Sequence, residues 1–319
     1  MSSIDPALLR ILEKDCASLG SSFSSAGPCR VLAQPSNRLL FAKLTTPVDQ
    51  VVGEGQSLRA MKDALEQCPR GSESLVPAVH AAGVAADGKK AYLVTDYLDM
   101  NGRVGSRGQR LLGQRLANMH KFGGNDRNLF GFDVPTHCGA TEQDNTWTEK
   151  WSDFWADRRI GEVIKRIAAR SEDHELSTLE GQMREKVYPL LLEPLDGKIS
   201  PAVLHGDLWS GNVGEDAASG EPVIFDPSSY YGHNEAELGI MHMFGGFTND
   251  FFEAYHAVLP RCQPYYDERI KLYELYHHLN HALMFGGSYR GGAVSIMKSL
   301  VSFAEREVRR NDASARSEL

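Results

Sequence analysis

The sequence predicts an α+β fold with two lobes: a small N-terminal antiparallel sheet with one helix, and a larger, mainly helical C-terminal lobe. Short apolar segments separated by turn residues are concentrated before residue 98. Helical spacing of apolar side chains dominates from Gly108 onward. Between them, charge and glycine content rise over residues 99–110, which is typical of a hinge. We therefore expect lobes at residues 1–98 and 99–319, a division that the length allows.

The composition excludes several classes of function. Hydrophobic residues make up 42% and charged residues 24% of the chain, which is ordinary for a soluble globular protein. No apolar stretch approaches the roughly 20 residues that span a membrane, and the N-terminus lacks the basic and apolar regions of a secretory signal. We expect a cytoplasmic protein without a membrane partner.

Charge and cysteine usage narrow the partners further. Net charge is −8, from 42 acidic and 34 basic residues, and basic residues cluster only briefly, at 158–159 and 306–310. Binding to nucleic acid needs a clustered basic surface, so we expect no such partner. The five cysteines are scattered and have no C-x-x-C spacing. This favours a reducing compartment and disfavours a disulfide framework or a zinc site.

The predicted N-terminal lobe begins with an amphipathic helix within residues 1–14. Residues 20–29 form a run of small side chains, which we interpret as a flexible loop. Such a loop can fold over phosphates and offer them N–H groups, although a plain surface loop explains it equally and Pro28 is unfavourable for a phosphate site. Strands are predicted at residues 30–33 and 39–44.

Lys43 and Glu54 form a pattern that suits nucleotide binding. Lys43 ends the second apolar strand, and Glu54 lies near the start of a helix predicted over residues 49–67. Alone, the lysine can simply extend to solvent at a sheet edge. A strand lysine followed by a glutamate on the next helix is also the kinase pairing that positions the α- and β-phosphates of ATP.

The remaining elements follow from periodicity and turns. Strands at residues 76–84 and 90–95 would give a sheet of about five strands. Leu112, Leu116 and Met119 share one helical face, and the aromatic stripe from Trp147 to Trp155 is typical of a core helix, with a substrate wall as the lesser interpretation. Further helices are predicted at residues 160–170, 178–192, 235–257, 266–285 and 293–310.

The chemistry is expected at residues 204–213, which read LHGDLWSGNV. The apolar runs 202–204 and 223–225 would pair as a hairpin that holds polar groups at one end. Asp207 would accept the proton of an attacking hydroxyl, and Asn212 with Asp226 would bind Mg²⁺ on ATP through oxygen atoms. Trp209 forms either an apolar wall for a sugar ring or a packing contact, and His205 is expected to hold the loop.

These motifs resemble those of the fructosamine-3-kinases and ketosamine-3-kinases, which are related to aminoglycoside phosphotransferases and choline kinases. The Trp-Ser of LHGDLWSGNV separates this group from its wider relatives. The resemblance continues in six further segments: FGF at 130–132, WTEKWSDFWADRR at 147–159, FDPSSYYGHNEAEL at 225–238, MFGGF at 243–247, FFEAYH at 251–256 and LYELYHHLNH at 272–281. It covers most of the chain.

The resemblance implies a protein-kinase-like fold, ATP and Mg²⁺ as cofactors, and the 3-hydroxyl of a ketosamine as acceptor. The partners would be glycated proteins or free ketosamines, and loss of the unstable 3-phosphate adduct would complete deglycation. By position, Asp207 resembles the base, Asn212 and Asp226 the metal ligands, and Lys43 with Glu54 the phosphate pair. The resemblance further places Thr95, Asp96 and Tyr97 near adenine, and Trp209 and His233 on the acceptor side.

The resemblance also gives Cys29 a possible redox role. Family members carry a cysteine in the nucleotide-binding loop that is linked to redox-sensitive dimerisation, so a monomer or a homodimer is expected. This chain departs from the family in having Gly27-Pro28 before the cysteine, and an inert thiol remains the alternative.

Two other functions stay open at the level of sequence. One is a small-molecule hydroxyl kinase of the aminoglycoside or choline kinase type, against which Trp209-Ser210 argues. The other is a nucleotide-binding redox sensor that acts through Cys29, against which the full set of Lys43, Asp207, Asn212 and Asp226 argues.

Overall fold

The computed structural model describes residues 3–69 and 75–317. The N-terminal part contains a five-stranded antiparallel sheet in the order β1-β2-β3-β5-β4 and two helices. These elements are α1 (Pro6–Asp15), β1 (Ser22–Gly27), β2 (Arg30–Gln34), β3 (Arg38–Thr45), α2 (Val48–Glu66), β4 (Val79–Val84) and β5 (Ala91–Asp96). The predicted sheet and its helix are therefore confirmed.

Side-chain pattern explains where these elements lie. Strand β2 alternates partly exposed and buried positions, so that Val31 and Ala33 face a small core with Leu40 and Val94. Helix α2 packs its buried face on β4 and β5. The predicted strand 76–84 begins three residues late, at Val79, because a proline cannot donate a ladder hydrogen bond and Pro77 lies in the predicted start.

The interpretation of residues 20–29 as a flexible loop is wrong. Ser22–Gly27 is strand β1, which pairs antiparallel with β2, and Ser24 lies opposite Leu32. Its side chains alternate between exposed and partly buried, as in an edge strand. Small residues gave no apolar signal of their own, and the strand forms because β2 supplies its hydrogen-bond partner.

The rest of the chain is mainly helical, with short strands between the helices. The strands are β6 (Met100–Asn101), β7 (Thr136–Cys138), β8 (Thr141–Gln143), β9 (Ala202–Val203), β10 (Val213–Asp216), β11 (Pro222–Ile224) and β12 (Tyr231–Gly232). The helices are α3 (Ser106–Phe122), α4 (Trp151–Asp153), α5 (Glu162–Arg170), α6 (His174–Gln182), α7 (Tyr188–Leu191), α8 (Gly239–Phe244), α9 (Asn249–Val258), α10 (Tyr266–Phe285) and α11 (Ser288–Ser317).

The aromatic stripe forms the centre of the helical core. Trp151, Phe154 and Trp155 are fully buried, and the ring of Trp155 meets that of Tyr273 edge to face at 4.8 Å. Such contacts add to the stabilisation from burial alone. A π-helical segment, Phe154–Gly161, joins α4 to α5. The core interpretation of the stripe is confirmed, although Trp147 precedes the helix.

Helix predictions hold best where periodicity is uninterrupted. Helix α10 covers Tyr266–Phe285 as predicted. The single helix predicted at 235–257 is wrong: a 3₁₀ turn at Asn234–Leu238 and α8 are followed by a break before α9. Gly245 and Gly246 have φ of +66° and +91°, values that glycine adopts freely and that no helix can contain.

The predicted hairpin between residues 202–204 and 223–225 is also wrong. Strand β9 pairs with β12, whereas β11 pairs with β10, which in turn pairs with β6. Two apolar runs flanking a loop do not reveal which neighbour satisfies their hydrogen bonds. Within residues 3–69 and 75–317, no helix is both long enough and apolar enough to cross a membrane.

Candidate active site

The loop that carries Asp207 is bent at Gly206. This residue has φ of +84°, and a Cβ atom there would overlap the carbonyl oxygen of Ser228. Only glycine fits both the conformation and the close approach. The loop therefore leaves strand β9 in a sharp turn that presents Asp207 beyond it.

His205 holds this turn from within. Its Nε2 donates a hydrogen bond to the carbonyl of Phe225 at 2.8 Å, and its Nδ1 accepts one from the Asp207 amide at 3.3 Å. The ring is fully buried, which lowers the pKa of His205 and keeps the imidazole neutral. The expected role in holding the loop agrees with these contacts.

Glu237 fixes the same loop from below and was not singled out from the sequence. Its carboxylate accepts hydrogen bonds from the amides of His205 at 2.5 Å and Gly206 at 3.0 Å, and Nε2 of His120 lies 3.4 Å away. Burial alone would raise the pKa of Glu237, but His120, His205 and the loop amide together lower it. An acid inside an apolar segment, Ala236-Glu237-Leu238, was the available signal.

Asp207 has the electrostatic setting of a general base. Burial raises its pKa to about 6, with further contributions from the charges of Glu237 and Asp226, while a hydrogen bond from the Cys138 thiol acts in the opposite direction. A carboxylate with a raised pKa accepts protons more readily and is still ionised near neutral pH.

Asn212 and Asp226 stand beside this base. The Asn212 side-chain amide donates to the Asp207 carbonyl at 2.9 Å, so its oxygen is the atom left for a cation. The Asn212 carbonyl accepts from the amide of Phe225 at 3.1 Å, which ties Asp226 to the same loop. The resulting donor set consists of an amide oxygen and a carboxylate, and oxygen ligands of this kind fit Mg²⁺.

The structure brings Lys43 and Glu54 together. Lys43 Nζ lies 2.5 Å from Glu54 Oε2, and this ion pair links strand β3 to helix α2. Burial raises the pKa of Glu54, the Lys43 charge lowers it and the Asp226 charge raises it. The effect of Asp226 shows that the pair and the proposed metal ligand share one electrostatic environment.

A cavity of about 300 Å³ joins several of these residues to the predicted adenine segment. Glu54, Thr95, Asp96, Tyr97 and Asp226 all line it. The amides of Asp96 and Tyr97 already donate to Ala78 and Leu39. The Asp96 carboxylate pairs with Arg38 at 2.6 Å and His80 at 2.9 Å, which gives this side chain a structural role in the sheet.

A larger cavity of about 560 Å³ opens beside Asp207. Trp209 lines it, is 39% exposed and packs on Phe244 with ring centroids 5.7 Å apart. Other lining residues escaped the sequence analysis because they come from distant elements: Cys138, Phe244, His281, Met284 and Tyr289. A wall that includes several aromatic side chains next to a base suits an acceptor with one reactive hydroxyl.

His233 lies outside this cavity. Its side chain is 2% exposed, hydrogen-bonds with the Tyr273 hydroxyl at 2.8 Å and packs edge-on against Trp151. Burial lowers the pKa of His233 to about 3, and the charges of Arg269 and His120 act in the same direction. The geometry gives no support to an acceptor-lining role for His233.

Cys29 sits in the turn between β1 and β2. It is exposed, has φ of +52°, and its carbonyl accepts a hydrogen bond from Ala42 at 2.9 Å. None of the five cysteines forms a disulfide within residues 3–69 and 75–317. The position leaves this thiol accessible to another molecule.

Comparison with known proteins agrees with this geometry. The family model described as fructosamine kinase matches residues 41–303. The ketosamine-3-kinase of Mus musculus is 40% identical over 68% of this chain and 75% of its own length. The protein described as protein-ribulosamine 3-kinase, chloroplastic, of Arabidopsis thaliana is 36% identical over 86% of this chain and 80% of its own.

Solved structures extend the similarity to the fold. A Thermobifida fusca protein described as a candidate fructosamine-3-kinase is 25% identical, with a TM-score of 0.73 over 94% of this chain and 99% of its own. The aminoglycoside phosphotransferase APH(4)-Ia, crystallised with AMP-PNP and hygromycin B, is 14% identical, with a TM-score of 0.55 over 92% of this chain and 98% of its own. This second likeness concerns the fold alone.

Proposed function

The chain belongs to the fructosamine kinase family, and from this premise we propose that it transfers a phosphoryl group from ATP to the 3-hydroxyl of ketosamines. The acceptors would be fructosamine or ribulosamine adducts on protein lysines or on free amino acids. Elimination of the phosphorylated sugar would then return the amine, so the reaction would serve deglycation and protein repair.

One observation carries this proposal: each of the two cavities is lined by one of two aspartates that interact electrostatically. Asp226 lines the smaller cavity and Asp207 the larger, and the charge of Asp226 raises the pKa of Asp207. A nucleotide in the first cavity and a hydroxyl in the second would face each other across these two aspartates. Phosphoryl transfer depends mainly on such positioning.

Each residue has a defined role in this arrangement. Asp207 would hold the acceptor hydroxyl and take its proton, while Lys43, oriented by Glu54, would bind the phosphates. Asn212 and Asp226 would hold Mg²⁺, which when bound neutralises charge on the phosphates. Thr95, Asp96 and Tyr97 would border the adenine, since all three line the smaller cavity.

The larger cavity supports a sugar attached to an alkyl amine. Trp209 and Phe244 offer apolar faces for the sugar ring, and Asp207 provides the polar contact beside them. An open cavity lets the remainder of a lysine-linked substrate extend to solvent. The name of the mouse relative points to ketosamines in general, and that of the Arabidopsis relative to protein-bound ribulosamine.

The test is ATP consumption with fructose-, ribulose- and psicose-derived lysine adducts, free and protein-bound. We expect Asp207→Asn to reduce kcat by about 100- to 10,000-fold, the usual contribution of a general base. Asp153→Asn, an exposed carboxylate on α4, is the matched control and should retain activity. Undiminished turnover in Asp207→Asn would overturn the assigned mechanism.

One alternative that the sequence leaves open is a kinase for another small-molecule hydroxyl. Adding free sugars, amino alcohols and aminoglycosides to the same substrate panel separates the two. A kcat/KM for any of these above that for the ketosamines would favour the alternative.

We also propose that the protein acts in the cytoplasm as a monomer or a redox-dependent homodimer, with lobes divided near residue 98. The exposed thiol of Cys29 supports a disulfide between two copies. Size-exclusion chromatography with and without reductant, on wild type and Cys29→Ser, tests this. A dimer that still forms in Cys29→Ser would favour non-covalent packing between the two copies. A Cys29-dependent dimer with negligible turnover would favour the redox-sensor alternative. Detection in cell fractions tests the location.

A further inference from the structure

Three side chains of different chemistry meet behind the catalytic loop. Cys138 ends strand β7, Asp207 lies on the loop and His277 lies on helix α10. One atom of each, Sγ, a carboxylate oxygen and a ring nitrogen, all lie within 4.8 Å of one another. Because the three residues are far apart in sequence, cysteine spacing gave no sign of this cluster.

His277 and its neighbour Asn280 have polar atoms that the protein leaves unpaired. His277 is 3% exposed, and its Nδ1 has no hydrogen-bond partner among residues 3–69 and 75–317. The same holds for Oδ1 of Asn280, whose amide donates to the Cys138 carbonyl at 3.1 Å. Native proteins rarely leave buried polar atoms unpaired, and a bound ion or water is the usual explanation.

The donor set selects the ion. A thiolate, an imidazole and a carboxylate are the three ligand types of Zn²⁺, whereas Mg²⁺ prefers oxygen alone. His277 contributes an imidazole whose Nδ1 has no partner among the described residues. The cluster is therefore chemically distinct from the oxygen site at Asn212 and Asp226.

Access to the cluster comes from the acceptor side. Cys138 and Asp207 both line the cavity of about 560 Å³. An ion entering through this cavity would meet Cys138 and Asp207, and an atom of the buried His277 lies within 4.8 Å of both. Three protein ligands with a fourth position left open is the arrangement of catalytic zinc sites.

We propose that Cys138, Asp207 and His277 bind Zn²⁺ and that the bound ion inhibits the enzyme by occupying its base. On binding, the Cys138 thiol loses its proton to solvent as the sulfur–zinc bond forms. The Asp207 carboxylate then directs its oxygen at the metal and no longer receives the proton of the acceptor hydroxyl. Metal binding is independent of the proposed function, while the inhibition rests on it.

Co²⁺ titration of the purified protein tests the binding without any activity measurement. Wild type should develop the absorption band of a cobalt–thiolate bond, and added Zn²⁺ should abolish it. The band should be lost in Cys138→Ser and retained in Cys29→Ser, which removes an exposed thiol elsewhere. Absence of the band in wild type, or its persistence in Cys138→Ser, would overturn the site.

Zinc-buffered kinase assays test the inhibition. At saturating MgATP, wild type should lose activity as free Zn²⁺ rises. Folded His277→Gln should need at least about 10- to 100-fold more Zn²⁺ for the same loss, because changing even an outer-shell partner of a metal ligand costs that much affinity. Equal sensitivity of the two would contradict the proposal. If the variants do not fold, zinc X-ray absorption of the wild-type complex decides: one sulfur neighbour supports the site, and a shell without sulfur refutes it. A chain with no kinase activity that still shows the cobalt band would refute only the proposed function.

Discussion

The surroundings of Asp207 destabilise its ionised form. Burial, Glu237 and Asp226 raise its pKa to about 6, and only the ionised form can accept a proton. As pH falls through this value the carboxylate takes up a proton, so kcat/KM should drop by about tenfold per pH unit on the acid side. Above about pH 7 this group should cause no further change.

The measurement is kcat/KM from about pH 5 to 8 at saturating Mg²⁺, with the stability of the enzyme checked at each pH. The Glu253→Gln variant, which removes an exposed acid on α9, should give the same profile as wild type. An acid limb close to the ordinary pKa of aspartate would show that Asp207 is not desolvated during turnover.

Alanine substitutions at Gly206 and Gly220 distinguish the effect of backbone strain from that of steric overlap. Both have positive φ, at +84° and +67°, but a Cβ would meet the Ser228 carbonyl at Gly206 and nothing within 4 Å at Gly220. Gly220→Ala should cost about 1 kcal/mol of unfolding free energy and leave kcat unchanged. Gly206→Ala should cost more and reduce kcat by about 100-fold, because the base moves.

Urea denaturation and steady-state kinetics on both variants provide the comparison. Similar stability losses and an unchanged kcat in Gly206→Ala would mean that the loop relaxes around the methyl group and that the Ser228 contact does not set its position.

Helix α2 contains a glycine that lowers helix propensity but allows close packing against the segment around Pro135. Glycine inside a helix costs about 1 kcal/mol relative to alanine, yet α2 contains Gly53, where a Cβ would lie 2.7 Å from the Pro135 carbonyl oxygen. One turn later, Ser57 Oγ accepts from the amide of Ser229 at 3.0 Å. This face fixes the helix, and with it Glu54, against the segment that follows Asp226.

Gly53→Ala should therefore weaken ATP use even though alanine favours helices. We expect lower stability and a higher KM for ATP, because a shifted α2 moves Glu54 away from Lys43. Gly181→Ala, at an open position in α6, should instead stabilise by about 1 kcal/mol or less. Chemical denaturation and ATP kinetics measure both, and a Gly53→Ala protein that behaves like Gly181→Ala would rule out close packing as the reason for the glycine.

Elements with strong periodicity were predictable from the sequence, and pairing partners were not. Helix α10 and strands β2, β3 and β5 match expectation within about two residues because their own side chains encode them. Strand β1 needed a neighbour, and the partners of β9 and β11 depend on tertiary contacts. The break at Gly245 was visible only as two glycines in a helical pattern.

At the scale of the whole molecule, the protein-kinase-like fold brings candidate site residues together from the N-terminal and the C-terminal parts of the chain. Sequence order predicted that Lys43, Glu54, Asp207, Asn212 and Asp226 act together, because phosphoryl transfer requires few residue types in a fixed order. It could not locate Cys138 or Glu237, whose relevance depends on distance. For His233, the resemblance suggested a place on the acceptor side. Its side chain is buried and does not line the larger cavity.

MgATP should stabilise the whole fold, because its proposed ligands come from both parts of the chain. At 100 times the dissociation constant, binding adds about 2.7 kcal/mol to the free energy of unfolding. Thermal melts with MgATP should show a higher Tm than melts with ATP and EDTA. The Asp226→Asn variant should reduce this difference, and an equal Tm with and without Mg²⁺ would argue against Asn212 and Asp226 as metal ligands.

Because Glu237 is buried, the position of the catalytic loop should not depend on the salt concentration. Dissolved ions weaken attraction between exposed charges, but they cannot enter a site where both the carboxylate and His120 have no exposed side-chain surface. The placement of His205 and Gly206 should therefore stay constant from dilute buffer to concentrated salt. Any salt dependence of turnover would then report on how the charged nucleotide arrives, leaving the geometry of the base unchanged.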